Sequence, residues 1–277
     1  MKKGLVLGGV IGLAIIGTGL YFALSQDNSI GIIGGADGPT SIFVADKDSL
    51  DKKVSAAILA ESQGRYLDGE TIGEGHIILG SKEENNEIIV YALTMYGEYG
   101  FQDNNFVKVS GSGVIPAVIR INDKNKESFS SAIEWPKDGS GYIESIKEMF
   151  PEQYYDRVLS IKDEDRHVLE AMEEQYARNY LAQIGRQANI GDYGDFEHPL
   201  LTHLGVSVQV SNKLLEKNYS NYPMWVGNQE KIEDGITYVY QMDYDKDEKQ
   251  IVLSKYNYET KAVVEKIVID ALTGEEI

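Results

Sequence analysis

"ETIGEGHIILGSKEENNEIIVYALTMYGEYGF", residues 70–101, decides the architecture. Two apolar runs, β-branched and aromatic, flank the polar "SKEENN", which is the pattern of an antiparallel β-hairpin. Upstream, Leu50, Val54, Ala57, Ile58 and Leu59 recur at helical spacing, so a helix is predicted near 48–63 with Ser49 as its N-cap. Downstream, "VIPAVIRIND" and "SFSSAIEWP" read as further strands joined by "DKNKE". Residues 141–185 then switch to a spacing of three and four. This predicts a short helix ending near Phe150 and a longer one after Pro151 that stops around Gly185. "RQANIGDYGDFEHP" has the composition of a linker, "VQVSNKLLEKNYS" reads as a short helix after Ser211, and "ITYVYQMDY", "QIVLSKYNY" and "AVVEKIVID" read as a meander. The expected class is α+β, with an antiparallel sheet and helices over 47–190 and a smaller C-terminal subdomain over 191–277 that carries antiparallel strands.

Composition narrows the function. Acidic residues number 44 against 26 basic ones, giving a net charge of −18 that repels phosphate backbones, so no nucleic-acid partner is expected. The chain has no cysteine, which removes disulfides, thiolate nucleophiles and sulfur-ligated metals, and nothing in it calls for a cofactor.

The N-terminus points to a membrane. After Lys2 and Lys3, residues 4–24 carry no charged side chain, and a helix of that length reaches roughly 30 Å, the thickness of a hydrocarbon core. The leading lysines orient the span N-terminus inward, so residues 1–25 form a cytoplasmic stub and anchor, and the bulk lies outside the cytoplasm. The alternative is a cleaved signal peptide, with secretion after processing near Ser25. Gly4, Gly8 and Gly12 recur every fourth residue and make a strip on which a second copy could pack, although ordinary glycine abundance in membrane helices explains them equally well.

Residues 26–46 contain "GIIGGADGPTSIFV". Gly34, Gly35 and Gly38 permit left-handed backbone angles and Pro39 fixes a turn, so the segment reads as a tight turn between two short strands. Asp37 and Thr40 offer oxygens to a hard cation, but too few for a complete shell. The string resembles a signature of the membrane-embedded β subunits of sodium-translocating decarboxylases. That resemblance implies a sodium-handling role for Asp37 and makes a sodium-linked membrane subunit a rival to binding, but those subunits cross the membrane many times and this chain has one candidate span, so the pump itself does not carry over.

A longer resemblance runs through "SLDKKVSAAILAESQGRYLDGE", the hairpin, and "YIESIKEMFPEQYYDRV". This order is similar to the extracytoplasmic portion of MecR/BlaR-type metallopeptidase-group membrane proteins of Firmicutes, which carry a like glycine-rich turn ahead of it. The His-Glu-x-x-His of their protease half does not occur here. Ser49-x-x-Lys52 matches the first element of a β-lactam acylation site formally, yet neither Ser-Asp-Asn nor Lys-Thr-Gly accompanies it. The resemblance implies an outside module on one anchor of a Gram-positive-type bacterium, binding or sensing at the cell surface or serving another membrane protein.

Smaller constellations have plain readings. Asp243, Asp245 and Asp247 mimic the opening of a calcium loop but lack its later glycine and glutamate, which leaves a solvated hairpin turn. His198 and His203, with Asp195 and Glu197, hold metal-ligand chemistry at a spacing that does not share a helical face. His76 and His167 are expected to pair with carboxylates. The 18 tyrosines suit sheet packing, with a carbohydrate- or peptide-binding surface as the alternative. Some pair among so many acids must lie close enough for acid–base catalysis, which keeps a hydrolase open as a rival to binding.

Overall fold

The hairpin forms where the pattern predicts it. The computed structural model describes residues 47–125, 128–217 and 219–277; the candidate span, its glycine strip and the segment 26–46 with Gly34, Gly35, Asp37, Gly38, Pro39 and Thr40 lie outside the described residues. Helix α1 (Lys47–Ser62) is followed by β1 (Thr71–Glu84) and β2 (Glu87–Gln102), which pair antiparallel from Thr71↔Tyr99 to Glu84↔Glu87. Asn85 and Asn86 turn the chain with φ of 53° and 65°, the left-handed pair that a two-residue hairpin needs and that asparagine tolerates.

β2 is the seam of the sheet. Its first half pairs with β4 (Ile115–Asn125), itself paired with β5 (Ser128–Glu134), and its second half pairs with β3 (Asn105–Gly111). Its odd-numbered side chains Ile89, Tyr91, Leu93 and Met95 meet α2 (Tyr142–Met149), α3 (Tyr155–Leu159) and α4 (Asp163–Ile184) through Ile146, Val158 and Leu169. Its even-numbered Val90, Ala92 and Tyr96 meet Val54, Ala57 and Ile58 of α1. With helices on both faces, the strand is buried from Val90 to Phe101 on both sides, which is why it reads as a continuous apolar run rather than a clean alternation.

The sheet continues through β7 (Gly227–Glu233), which joins β2 at Gln102↔Gln229, and on through β8 (Ile236–Asp245), β9 (Gln250–Asn257) and β10 (Val263–Asp270) as an antiparallel meander. Helix α5 (Val208–Glu216) covers it, placing Val210 and Leu214 over Tyr240, Met242, Ile251, Leu253 and Ile269. The α+β class and the antiparallel sheet therefore stand, and among the described residues no helix is long and apolar enough to cross a membrane.

Four local expectations change. Helix α1 already runs from Lys47, so Ser49 lies inside its first turn instead of capping it. No single helix follows Pro151: a 3-10 turn at Glu152–Tyr154 and α3 come first, and Ser160 leaves helical geometry. Burial explains the corner, because Val158 and Leu169 enter one core from different directions while Arg157 grips Asp165 across the bend at 2.7 Å. Helix α4 then starts with Asp163, Glu164 and Asp165 in its first turn, suited to the positive end of the helix dipole, and stops at left-handed Gly185. The linker-like stretch contains β6 (Ile190–Asp192), which pairs in parallel with β3 from Phe106↔Ile190 to Lys108↔Asp192, so the boundary drawn near 190 runs through a strand pairing. Finally, α5 begins at Val208 because the Ser207 hydroxyl accepts the Val210 N–H and caps it one turn ahead of Ser211.

Candidate functional site

Helix α4 lies against backbone. A Cβ added to Gly73 of β1 would stand 2.6 Å from the Glu173 carbonyl oxygen, and one on Gly75 would collide with the backbone of Leu169. On β2, Gly97 leaves the space that the Glu173 carboxylate fills. These glycines bring the helix close enough to carry charge into the interior. Glu173 is only 1% exposed; Lys108 of β3 hydrogen-bonds its Oε2 at 2.8 Å, stands 2.8 Å from Oε1, and donates to the Ser112 carbonyl at 3.1 Å. Burial pushes the Glu173 pKa up to about 7 against the pull of Lys108.

A second cluster sits near the end of the same helix. Tyr180 donates to Glu70 Oε2 at 3.1 Å, and Arg186 makes a two-pronged pair with Glu230 at 2.7 and 2.8 Å while its guanidinium lies over the Phe101 ring at 3.3 Å. Burial first, and the negative charge of Glu230 second, raise Glu70 to about 7. The structure thus sets Glu70, able to hold a proton near neutrality, near Glu230, which is tied to Arg186, an arrangement acid–base chemistry can use.

A third chain runs on the α1 side. Ser55 and Tyr176 share a hydrogen bond of 2.7 Å, Tyr176 donates to Glu74 at 3.1 Å, and His76 stands between Glu74 at 3.0 Å and Asp51 at 3.4 Å. Burial pulls the imidazole pKa down, but hydrogen bonds to Asp51 and Glu74 outweigh it and leave a value of about 9. His76 is an imidazolium at neutral pH, so it holds α1 to β1 and offers no base. The expected pairing of His76 with a carboxylate is therefore doubled.

The accessible features lie along the end of α4 and just beyond it. An open groove of about 570 Å³ runs past Arg178, Leu181, Gly185, Arg186, Ala188 and Ile190. Both of its arginines are engaged, Arg178 with Glu174 at 2.6 Å and Arg186 as above. Three residues past Ile190, Tyr193 opens a 3-10 turn closed reciprocally by Asp192 and Asp195. The Tyr193 ring stacks on His198 at 3.7 Å and 8°, and the buried Trp225 meets both rings edge-on at 5.8 and 4.7 Å. Asp103, in the turn after β2, accepts the Trp225 indole N–H at 3.0 Å and fixes that wall. His198 Nδ1 contacts the Phe196 carbonyl at 3.1 Å and Nε2 the Gln102 side-chain amide at 3.0 Å. Burial lowers the His198 pKa, and both ring nitrogens face oxygens, Nδ1 the Phe196 carbonyl and Nε2 the Gln102 Oε1. Tyr193 remains 44% exposed as a residue on this braced support.

The sites expected from sequence fall differently. His198 serves the aromatic stack, His203 lies on a separate 3-10 turn at Leu201–Leu204, and among the described residues no His, Asp and Glu group has the geometry to hold a metal. The Asp243–Asp247 run is a turn in which Asp245 accepts the backbone N–H groups of Asp247 and Glu248 at 2.9 and 3.0 Å. What sequence reading missed is the glycine bed of α4 and the Tyr193 platform. The first has a signal in Gly73-x-Gly75 and Gly97, while the second needs Gln102 and Trp225 brought from distant strands. No protein-family model matches the chain, and no curated protein or solved structure matches it either.

Proposed function

We propose that this chain is a membrane-anchored, extracytoplasmic binding or sensing protein, held by residues 4–24 and presenting the α+β domain to a partner or ligand outside the cytoplasm. The observation that carries this reading is Tyr193, a large ring kept exposed and at the same time immobilised by His198 and Trp225. Aromatic residues anchor recognition because they contribute large contact area at small conformational cost, and prior immobilisation lowers that cost further. The groove along Arg178–Ile190 offers a second accessible surface, ending three residues before Tyr193 in the chain. The resemblance to the outside portion of MecR/BlaR-type proteins agrees with an accessory role beside another membrane protein.

The test places a photo-crosslinking residue at position 193 of the full-length protein in membranes of its host, with position 246 as a control on an exposed hairpin turn. A discrete adduct at 193 and none at 246 supports the reading. Equal labelling at both positions, or none at 193, overturns it.

A second reading, an extracytoplasmic hydrolase, rests on Glu70 and Glu230. It requires hydrolysis of some cell-envelope polymer that Glu70→Gln abolishes while the fold survives. Retained hydrolysis in that variant removes the pair from consideration.

A further inference from the structure

We propose that the Tyr193 platform takes a cationic group, an ammonium or guanidinium displayed by the extracytoplasmic partner, on the outer face of its ring. This rests on the binding reading above and names the chemistry of what binds.

The inner face of the ring is used and the outer face is not. Stacking on His198 at 3.7 Å occupies one side, the edge of Trp225 bounds the assembly, and the neighbouring Gly194 has nothing within 4 Å of where a side chain would be. A cation is drawn to the negative face of an aromatic ring, most strongly when the surroundings carry no competing positive charge. The chain around the ring meets that condition. From Gln187 to Asn212 there is no lysine or arginine, while Asp192, Asp195 and Glu197 stand within four residues of the ring.

Five other rings among the described residues, those of Phe101, Trp135, Tyr238, Tyr240 and Tyr258, carry the chain's own cations. Arg65 lies over Trp135 at 4.2 Å, Lys255 over Tyr238 at 4.3 Å and Lys261 over Tyr258 at 4.5 Å. Tyr193 is not among the rings so covered in the described residues, although Asp192, Asp195 and Glu197 lie within four residues of it in the chain and His198 stacks beneath it. A neutral sugar would also stack on such a ring, but it gains nothing from the flanking charge or from a net charge of −18.

Full-length protein in detergent is titrated with tetramethylammonium chloride and with arginine amide, against sodium chloride at equal ionic strength and against an N-acetylglucosamine trimer, by calorimetry and by tryptophan emission. The expected result is saturable binding of both cations that sodium does not reproduce. Tyr193→Phe, which keeps the ring, holds affinity within about threefold, Tyr193→Leu loses about five- to tenfold, and Glu197→Gln loses about twofold. Unchanged circular dichroism in Tyr193→Leu shows that its loss is local.

Equal cation affinity in Tyr193→Leu overturns the proposal, and so does the absence of saturation by either cation. Saturation by the sugar alone, lost in Tyr193→Leu, discards the cation while leaving the platform a binding site. Failure of both probes together with no adduct at position 193 removes the binding reading itself.

Discussion

Two helices lie on one continuous sheet and are held in opposite ways. Helix α5 covers the C-terminal meander with an apolar cluster, and its ions stay at the rim, where Lys213 and Lys217 reach the exposed Glu275 at 2.9 and 3.2 Å. Helix α4 covers the other half by pressing on glycines, and there the ions are inside, with Lys108 and Glu173 beneath the helix and Arg186 and Glu230 near its end. The first mode tolerates small adjustments of side chains. The second leaves backbone facing backbone with nothing to yield, and it makes packing depend on protonation.

The largest expected effect tests that contrast directly. Gly75→Val forces α4 off the sheet and should cost about 3 kcal/mol or more in urea unfolding. Gly235→Ala in the β7–β8 turn, where φ is +78° but the space is open, should cost about 1 kcal/mol. Similar values for the two would mean that α4 does not rest on backbone.

Next in size is Lys108→Met, which strands the Glu173 carboxylate. At pH 8 the loss should be about 3 kcal/mol, and at pH 5 it should shrink as Glu173 takes up a proton. A pH-independent loss would show that Lys108 acts through packing alone.

The polar layer also sets the sign of a pH dependence. Glu70 and Glu173 have folded pKa values raised from 4.5 to about 7, and His76 has one raised from 6.5 to about 9. A raised folded pKa gives stability that is complete below the unfolded value and is lost as pH rises through the folded one. All three groups therefore favour the fold on the acid side, with the loss spread from above pH 4.5 to about pH 9. Thermal unfolding should shift to lower temperature from pH 5.5 to 8.5, and the shift should be smaller in Glu70→Gln/Glu173→Gln. An identical slope in the double variant would place the titration elsewhere.

The smallest effect belongs to the rim. Lys213→Ala removes an exposed pair to Glu275 and should change stability by less than about 1 kcal/mol. A larger loss would make α5 depend on ions as α4 does.

Much of the frame was legible in sequence because it is local. The polar Ser81–Asn86 run between apolar stretches marked the first hairpin, Gly185 marked the end of α4, and three alternating runs marked the meander. Strand β3 escaped because only Asp103 and Asn104 separate it from β2, so "YGFQDNNFVKV" offers no long polar gap. The same brevity hid β6, since three residues in a glycine- and aspartate-rich stretch pair with a partner more than 80 positions earlier. Gly73, Gly75 and Gly97 looked like ordinary strand glycines until α4 was laid on them. Tyr193 gave no hint of its support, because Gln102, which steadies His198, stands 96 positions away in the chain.

The turn at Asp103 has one more consequence, and it concerns time. β1, β2 and β3 are joined by two-residue turns at Asn85–Asn86 and Asp103–Asn104, so their pairings close short loops. The pairing of β2 with β7 closes a loop of about 125 residues, and Asp103 is where it is secured, through the Trp225 indole and the Asn228 backbone N–H at 2.8 Å. The residue that starts β3 early is thus the one that waits longest for its own partners. Emission from Trp225 should report the last phase of refolding, and Trp135, packed in the α1 core, an earlier one.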